Sequence, residues 1–455
     1  MERKNIYENK NVLVCGLARS GAAAAKLLSR LGARVTVCDL RNADQLQNEI
    51  GELNENIKII CGKNPDDVLL NETDLIILSP GIPSDAPFVT KAKNKKIRVI
   101  SEIELAFSVC NAPVIAVTGT NGKTTTSVLT GKIFESKYET AVLGNVGEAF
   151  SKKAADISPN GVAVVETSSF QLENIETYKP KAAIILNITP DHLDRHKTLA
   201  EYVRIKKRIF EKQKEDDYLI LNYDDPLCAQ IAAEAKSKVI YFSNKTVLNE
   251  GVFLENGLII SNINGAREEI VSVDELMIRG HLIDNALAAC AAAVLFNVSV
   301  VKIADTLRGF KGVEHRLEYV AEINGVEYFN DSKATNPDAA IKGLSSMTRP
   351  VLLICGGSEK NLDFTEWTAL FKNRVKKAFV IGETADKIIG ACEKNNFFDY
   401  EKVKSLEEAV KKCVAAAEPG DAALLSPACA SWDMFRDFEE RGSEFKKFVK
   451  EHARM

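Results

Sequence analysis

One eight-residue segment, Thr118-Gly119-Thr120-Asn121-Gly122-Lys123-Thr124-Thr125, lies between an apolar run (PVIAV) and a helix-forming stretch, and it narrows the folds open to this chain more than any other feature. Its glycines let backbone N–H groups curl around phosphate oxygens, the following helix adds the positive end of its dipole, and Lys123 supplies a point charge at the β/γ-phosphates. Thr124 can place its hydroxyl on Mg²⁺. Strand, phosphate loop and helix in that order call for a mostly parallel sheet covered by helices. The spacing departs from the general phosphate-loop pattern, because Val117 stands where the first glycine would be.

The rest of the chain repeats this alternation. Strand-like NVLVCG (Asn11 to Gly16), a helix from Ser20 to Leu31 and a strand ending at Asp39 form a βαβ unit, and DLIILSPGIP (Asp74 to Pro83) adds a buried strand with a Gly/Pro stop. Further strands are expected at Val162 to Thr167 and Ala182 to Ile188, with helices near Thr125, over Glu201 to Lys214 and over Asn285 to Phe296. A third alternation follows Val313. The expected architecture is three α/β domains: 1–103, Rossmann-like; 104–312, a central phosphate-loop ATPase domain with a mostly parallel sheet; and 313–455, Rossmann-like.

Composition excludes several function classes. A net charge of −4 gives no global basic field for nucleic acid or anionic lipid, so phosphate recognition must be local. No run of about 18 uncharged apolar residues offers a membrane helix, and a cytoplasmic, monomeric protein without membrane or nucleic-acid partners is expected. The ten cysteines are scattered singly, without CxxC pairing, and read as small buried hydrophobes.

Beyond the loop, an ordered series of segments spans all three inferred domains: Gly144-Asn145-Val146-Gly147, ETSSFQLE (Glu166 to Glu173), DHLDRH (Asp191 to His196), Tyr202 to Ile209, His315-Arg316, NDSKATN (Asn330 to Asn336) and SPACASWD (Ser426 to Asp433). Together with TGTNGKTT, these resemble the Mur ligase family, whose relatives include the folylpolyglutamate synthases. The resemblance implies joining of an amino acid to a carboxylate through an acyl phosphate, with ATP and Mg²⁺ as cofactors and UDP-N-acetylmuramoyl-L-alanine and D-glutamate as substrates. The chemistry asks for the same residue types: two anions, carboxylate and triphosphate, must be brought together by cations and hydrogen-bond donors.

By that resemblance, Gly119, Thr120, Asn121, Gly122, Lys123, Thr124 and Thr125 bind ATP, with Asn285, Arg316 and Asp331 at the adenine, phosphates and ribose. Thr124, Glu166, His192 and a carbamylated Lys206 are the implied metal ligands. Alone, Glu166 reads as a solvated carboxylate, His192 as a structural hydrogen-bonding residue and Lys206 as a surface helix lysine; Tyr202 four residues earlier and Ile209-Phe210 after it set the register at Lys206 rather than the neighbouring Lys207. Lys333 is placed at the reacting centre with Thr335. Arg19, Ser20, Asp39, Arg41, Ser79, Gly81 and Asn145 match UDP-muramoyl positions, and Thr335, Lys360, Ser431 and Phe438 match D-glutamate positions. His281 is followed by Leu282 where the family usually has asparagine, so one side-chain donor near adenine is missing.

Three rivals are weighed against this reading. A folylpolyglutamate synthase-like ligase is disfavoured by SPACASWD and the uridine-type first domain. A nucleotide-dependent switch would use ATP indifferently to amino acid. An NAD-dependent oxidoreductase is disfavoured by Ala18, which stands in GLARSG where a glycine would admit a pyrophosphate.

Overall fold

The computed structural model describes residues 5–278, 282–359 and 362–452. Three sheets carry the chain, one for each α/β domain. By compactness it divides into two units: one takes in the chain up to Leu276 and again Leu282–Gly309, and the other begins at Phe310.

The first sheet has five parallel strands in the order Lys58–Cys61, Arg34–Asp39, Asn11–Cys15, Leu75–Leu78, Arg98–Ser101. Strand order reverses between Asn11–Cys15 and Leu75–Leu78. Their carboxyl ends therefore open the crevice in which sheets of this kind take ligands. Gly16 and Ser79 line that point, with Ser79 Oγ donating to Gly16 O at 2.9 Å. The helix Arg19–Arg30 starts so close to the turn that a Cβ at Gly21 would stand 1.8 Å from Gly16 O. The glycine is what allows strand and helix to meet there.

The central sheet runs Ala266–Ser272, Leu258–Ile263, Gly251–Glu255, Lys238–Ser243, Tyr218–Asn222, Ala182–Ile185, Val114–Thr118, Val162–Glu166, Thr140–Gly144. Seven strands are parallel, and the hairpin strands Leu258–Ile263 and Ala266–Ser272 close one edge antiparallel. Val114–Thr118 is wholly buried, as a strand covered on both faces must be. The helix it feeds begins at Lys123, two residues earlier than the sequence suggests, and the alanine-rich helix Leu282–Leu295 packs on it. Ala182–Ile185 ends before Ile188 because the chain leaves the sheet to support the loop, Asn187 O accepting from Thr120 N at 3.0 Å. The helix expected over Glu201 to Lys214 runs only Leu199–Lys207 and tightens into a 3₁₀ turn at Arg208–Phe210.

The linking helix Glu102–Val109 fastens the first two domains. The buried Glu104 carboxylate accepts the backbone N–H groups of Glu176, Thr177 and Tyr178 at 2.9, 2.8 and 2.9 Å. Its charge is thus met by a nest of donors.

In the second unit the strand order is Glu318–Ile323, Val326–Asn330, Ala422–Leu425, Val351–Gly356, Val375–Ile381, Tyr400–Lys402, antiparallel only at the first pair. NDSKATN, SPACASWD and the segment from Gly357 leave the carboxyl ends of three neighbouring strands. Among the described residues no helix is long and apolar enough to cross a membrane.

Candidate active site

Gly119 and Gly122 have φ of +152° and +80°, conformations that L side chains rarely adopt, and they bend the loop around its own N–H groups. A Cβ on Gly122 would fall 2.3 Å from Asn285 Oδ1, so that asparagine sits directly against the loop. Asn285 is 3% exposed, and its Nδ2 has no hydrogen-bond partner among the described residues. Asn187 splints the other side, Oδ1 accepting from Asn121 N at 2.9 Å. Thr120 Oγ1 bonds Thr189 O at 3.1 Å and Tyr202 OH at 3.3 Å. Lys123 Nζ arches over the turn to Gly119 O at 2.9 Å and Thr120 O at 2.8 Å, while Thr124 and Thr125 lie buried at the helix start.

Glu166 ends the neighbouring strand, 1% exposed. Its Oε1 accepts from Asn145 Nδ2 at 2.7 Å, and its Oε2 is buried without a partner among the described residues. A buried carboxylate oxygen with nothing to accept is costly, and a hard cation satisfies it. The residues present therefore fit Mg²⁺ beside the loop. Among the described residues no three His, Cys, Asp or Glu side chains cluster to hold a metal ion.

Lys206 and Lys207 part company. Lys206 is 1% exposed, with Nζ 2.8 Å from Gly119 O and 4.6 Å from the centre of the Tyr202 ring. Lys207 pairs with Glu234 near the surface at 2.6 Å. Burial, and then the neighbouring Lys123 charge, push the Lys206 ammonium well below its ordinary pKa, so the amine is held toward its neutral form. His192 adopts a left-handed conformation (φ +52°) with its side chain half exposed, its ring 4.8 Å from that of Phe170.

Around the first sheet's crevice, Asp39 accepts from Leu17 N at 2.7 Å and from Arg41 Nε at 3.1 Å; against the upward push of burial, these bonds hold the carboxyl below its ordinary range. Asp39 thus fastens the GLARSG turn, Ser20 lies in the first turn of the helix that follows, and Gly81 is exposed. Arg19 Nη2 reaches Asn145 O at 3.2 Å, which links this turn to the residue that holds Glu166.

In the second unit, Asp331 is buried, accepting from Ser426 Oγ at 2.9 Å and Leu317 N at 3.2 Å, and burial raises its carboxyl to about 7. Arg316 Nε is buried without a partner among the described residues. Lys333 Nζ stands 5.5 Å from the centre of the Phe438 ring, Thr335 N donates to Lys333 O at 2.9 Å, and Ser431 is 2% exposed at the turn before that ring. Lys360 lies outside the described residues, as does His281.

Sequence reasoning passed over Arg195. Its guanidinium meets Glu173 through Nε at 2.9 Å and Nη2 at 2.7 Å, and donates to Pro80 O at 2.9 Å and Ile82 O at 3.0 Å. It clamps the Ser79–Ile82 loop of the first domain to the central one. Both side chains fall within recognised motifs, but only the fold brings in the two carbonyls.

The geometry defines an ATP-using ligase class, and comparison with known proteins places the chain in it. The description "Mur ligase middle domain" matches residues 117–293, "Mur ligase, glutamate ligase domain" matches 315–429, and "Mur ligase MurD-like, N-terminal domain" matches 10–101. The chain belongs to the Mur ligase family. Within it, the UDP-N-acetylmuramoylalanine–D-glutamate ligase of Alkaliphilus oremlandii is 46% identical over 446 residues, covering 97% of this chain and 98% of the relative. That of Thermoanaerobacter pseudethanolicus is 46% identical over 452 residues, covering 98% and 99%. The crystal structure of UDP-N-acetylmuramate-alanine ligase MurC from Thermotoga maritima shares the fold, with a TM-score of 0.59 at 17% identity over 97% of this chain and 99% of that one.

Proposed function

We infer that this chain is an ATP-dependent ligase that adds D-glutamate to UDP-N-acetylmuramoyl-L-alanine in peptidoglycan precursor synthesis, working in the cytoplasm, where ATP and the nucleotide-activated sugar are found. Full-length identity to D-glutamate ligases of two organisms supports the choice of substrates. The observation that carries the chemistry is the buried phosphate loop with Lys123, the unpartnered Glu166 Oε2 and Lys206 gathered around it.

The alanyl carboxylate oxygen attacks the γ-phosphorus of ATP, the bond to the bridging oxygen breaks, and ADP leaves. The glutamate amine then attacks the acyl carbon, phosphate departs and the amine loses a proton. The loop N–H groups and Lys123 steady the phosphate charge as it redistributes. Thr124 and Glu166 would hold one Mg²⁺, which when bound neutralises phosphate charge. A neutral Lys206 amine can add CO₂ and lose a proton, which turns a repelled ammonium into an anionic carbamate able to serve a second ion with His192. Asn285, Arg316 and Asp331 are assigned to the nucleotide. Arg19, Ser20, Asp39, Arg41, Ser79, Gly81 and Asn145 are assigned to the UDP-muramoyl substrate, with Asp39 acting through the turn it fastens. Thr335, Lys360, Ser431 and Phe438 are assigned to D-glutamate, and Lys333 to the departing phosphate.

A heavy-oxygen label in the alanyl carboxylate tests this route. The label is expected in the released phosphate as well as in the new amide. Phosphate free of label would exclude the acyl phosphate.

A further inference from the structure

Arg441, on the helix Phe438–His452, is wholly buried, yet among the described residues no carboxylate pairs with it. Its guanidinium instead donates to Ser332 Oγ at 3.0 Å, Ser332 O at 2.8 Å, Cys429 O at 3.1 Å and Ala430 O at 3.2 Å. Ser332 Oγ in turn donates to Phe438 O at 2.8 Å. A third segment closes on the same group: a Cβ at Gly357 (φ +152°) would stand 2.1 Å from Ala430 O and 3.2 Å from Arg441 Nη1. The three loops that leave the carboxyl ends of Val326–Asn330, Ala422–Leu425 and Val351–Gly356 therefore converge on one buried cation.

Asp433 attracts the guanidinium only at longer range, and burying a charge without a direct ion pair costs several kcal/mol even after relaxation; desolvation lowers the Arg441 pKa to about 10. An apolar side chain would fill the space without that cost. What it lacks is a planar fork of five donors in fixed directions, which can join carbonyls from separate loops at set spacing. The joined segments lead directly to assigned glutamate residues: Thr335 three positions after Ser332, Ser431 next to Ala430, Lys360 three after Gly357, and Phe438 three before Arg441 itself.

We propose that Arg441 is a positioning residue for the incoming amino acid, fixing the spacing of the three loops and so the affinity for D-glutamate. This rests on the assignment of Thr335, Lys360, Ser431 and Phe438 to that substrate.

The test is steady-state phosphate release by Arg441→Lys, which keeps the charge and loses the fork, with each of the three substrates varied in turn. The Michaelis constant for D-glutamate is expected to rise about tenfold or more, the size of a lost charge-assisted hydrogen bond, while those for ATP and UDP-N-acetylmuramoyl-L-alanine stay within about twofold. A merely structural role would lower the melting temperature and the active fraction and leave all three constants unchanged, which would overturn the proposal. Should Arg441→Lys not fold, Ser332→Ala removes the hydroxyl between Arg441 and Phe438 and is expected to raise the D-glutamate constant alone, about threefold; no selective rise in that variant would likewise overturn it. Ser431→Ala separates the underlying assignment. A rise there with none in Arg441→Lys and Ser332→Ala leaves the glutamate site standing and the positioning role refuted. A rise in Arg441→Lys with none in Ser431→Ala supports positioning and removes Ser431 from the site.

Discussion

Lys206 Nζ stands 2.8 Å from the carbonyl oxygen of Gly119, the first glycine of the phosphate loop, buried beneath the ring of Tyr202. The helix that delivers it turns Lys207 about 100° away, toward Glu234. One residue of register thus separates a buried amine at the loop, its pKa pushed well down by burial, from an ordinary surface ion pair.

Lys206→Ala is expected to be nearly inactive, and Lys207→Ala to keep most of its activity, because an exposed ion pair contributes little. Acetate or formate at high concentration, at matched ionic strength, is expected to refill part of the space left in Lys206→Ala and restore turnover. Phosphate release measures all three. An active Lys206→Ala would remove the carbamate from the account.

Arg195 and Glu173 are 14% and 9% exposed by side chain and form a bidentate pair within the central domain, from which Arg195 reaches Pro80 O and Ile82 O of the first domain. Arg195→Ala leaves the buried Glu173 carboxylate without its arginine, with only Ser84 Oγ and His196 beside it, and frees the Ser79–Ile82 loop. A stability loss of about 3 kcal/mol, read from urea unfolding, is expected. The Michaelis constant for the UDP-muramoyl substrate is expected to rise, with that for ATP unchanged. Equal increases in both would show that the clamp does not serve the first-domain crevice.

The buried Asp331 gives a pH signature. Its folded-state pKa, about 7, is raised above the ordinary carboxylate value of 3.8. Between those values the folded protein holds a proton that the unfolded chain has lost, so this group's contribution to stability is fully present below pH 4 and declines as pH rises toward 7. Thermal melts of Asp331→Asn are expected to lack this part of the decline. An Asp331→Asn profile parallel to that of the parent protein would contradict it.

Legibility in the sequence followed the range of the interactions. The phosphate loop was readable because its function rests on local backbone: two glycines at positive φ, a lysine and a helix start. Three of the five strands of the first sheet were readable from apolar runs, since parallel strands covered on both faces need show no alternation; the four-residue strands Lys58–Cys61 and Arg98–Ser101 were too short and too mixed in polarity to stand out. Ala182 to Ile188 misled for the same reason, as Leu186 and Ile188 are buried around the loop rather than in the sheet. Asn187 and Arg441 gave no local signal, and Arg195 only its place in DHLDRH, because each acts on carbonyls or amides brought in by the fold from segments distant in sequence. Family resemblance, not periodicity, pointed to Lys206; its burial and its separation from Lys207 come from the structure.

The central claim is tested most directly by phosphate release in a panel in which ATP, the UDP-muramoyl substrate and the amino acid are each omitted or exchanged. Release is predicted only when ATP, UDP-N-acetylmuramoyl-L-alanine and D-glutamate are all present, with L-glutamate, D-alanine and a diamino acid giving little. Release at the same rate without an amino acid, or with another amino acid preferred, would contradict the account.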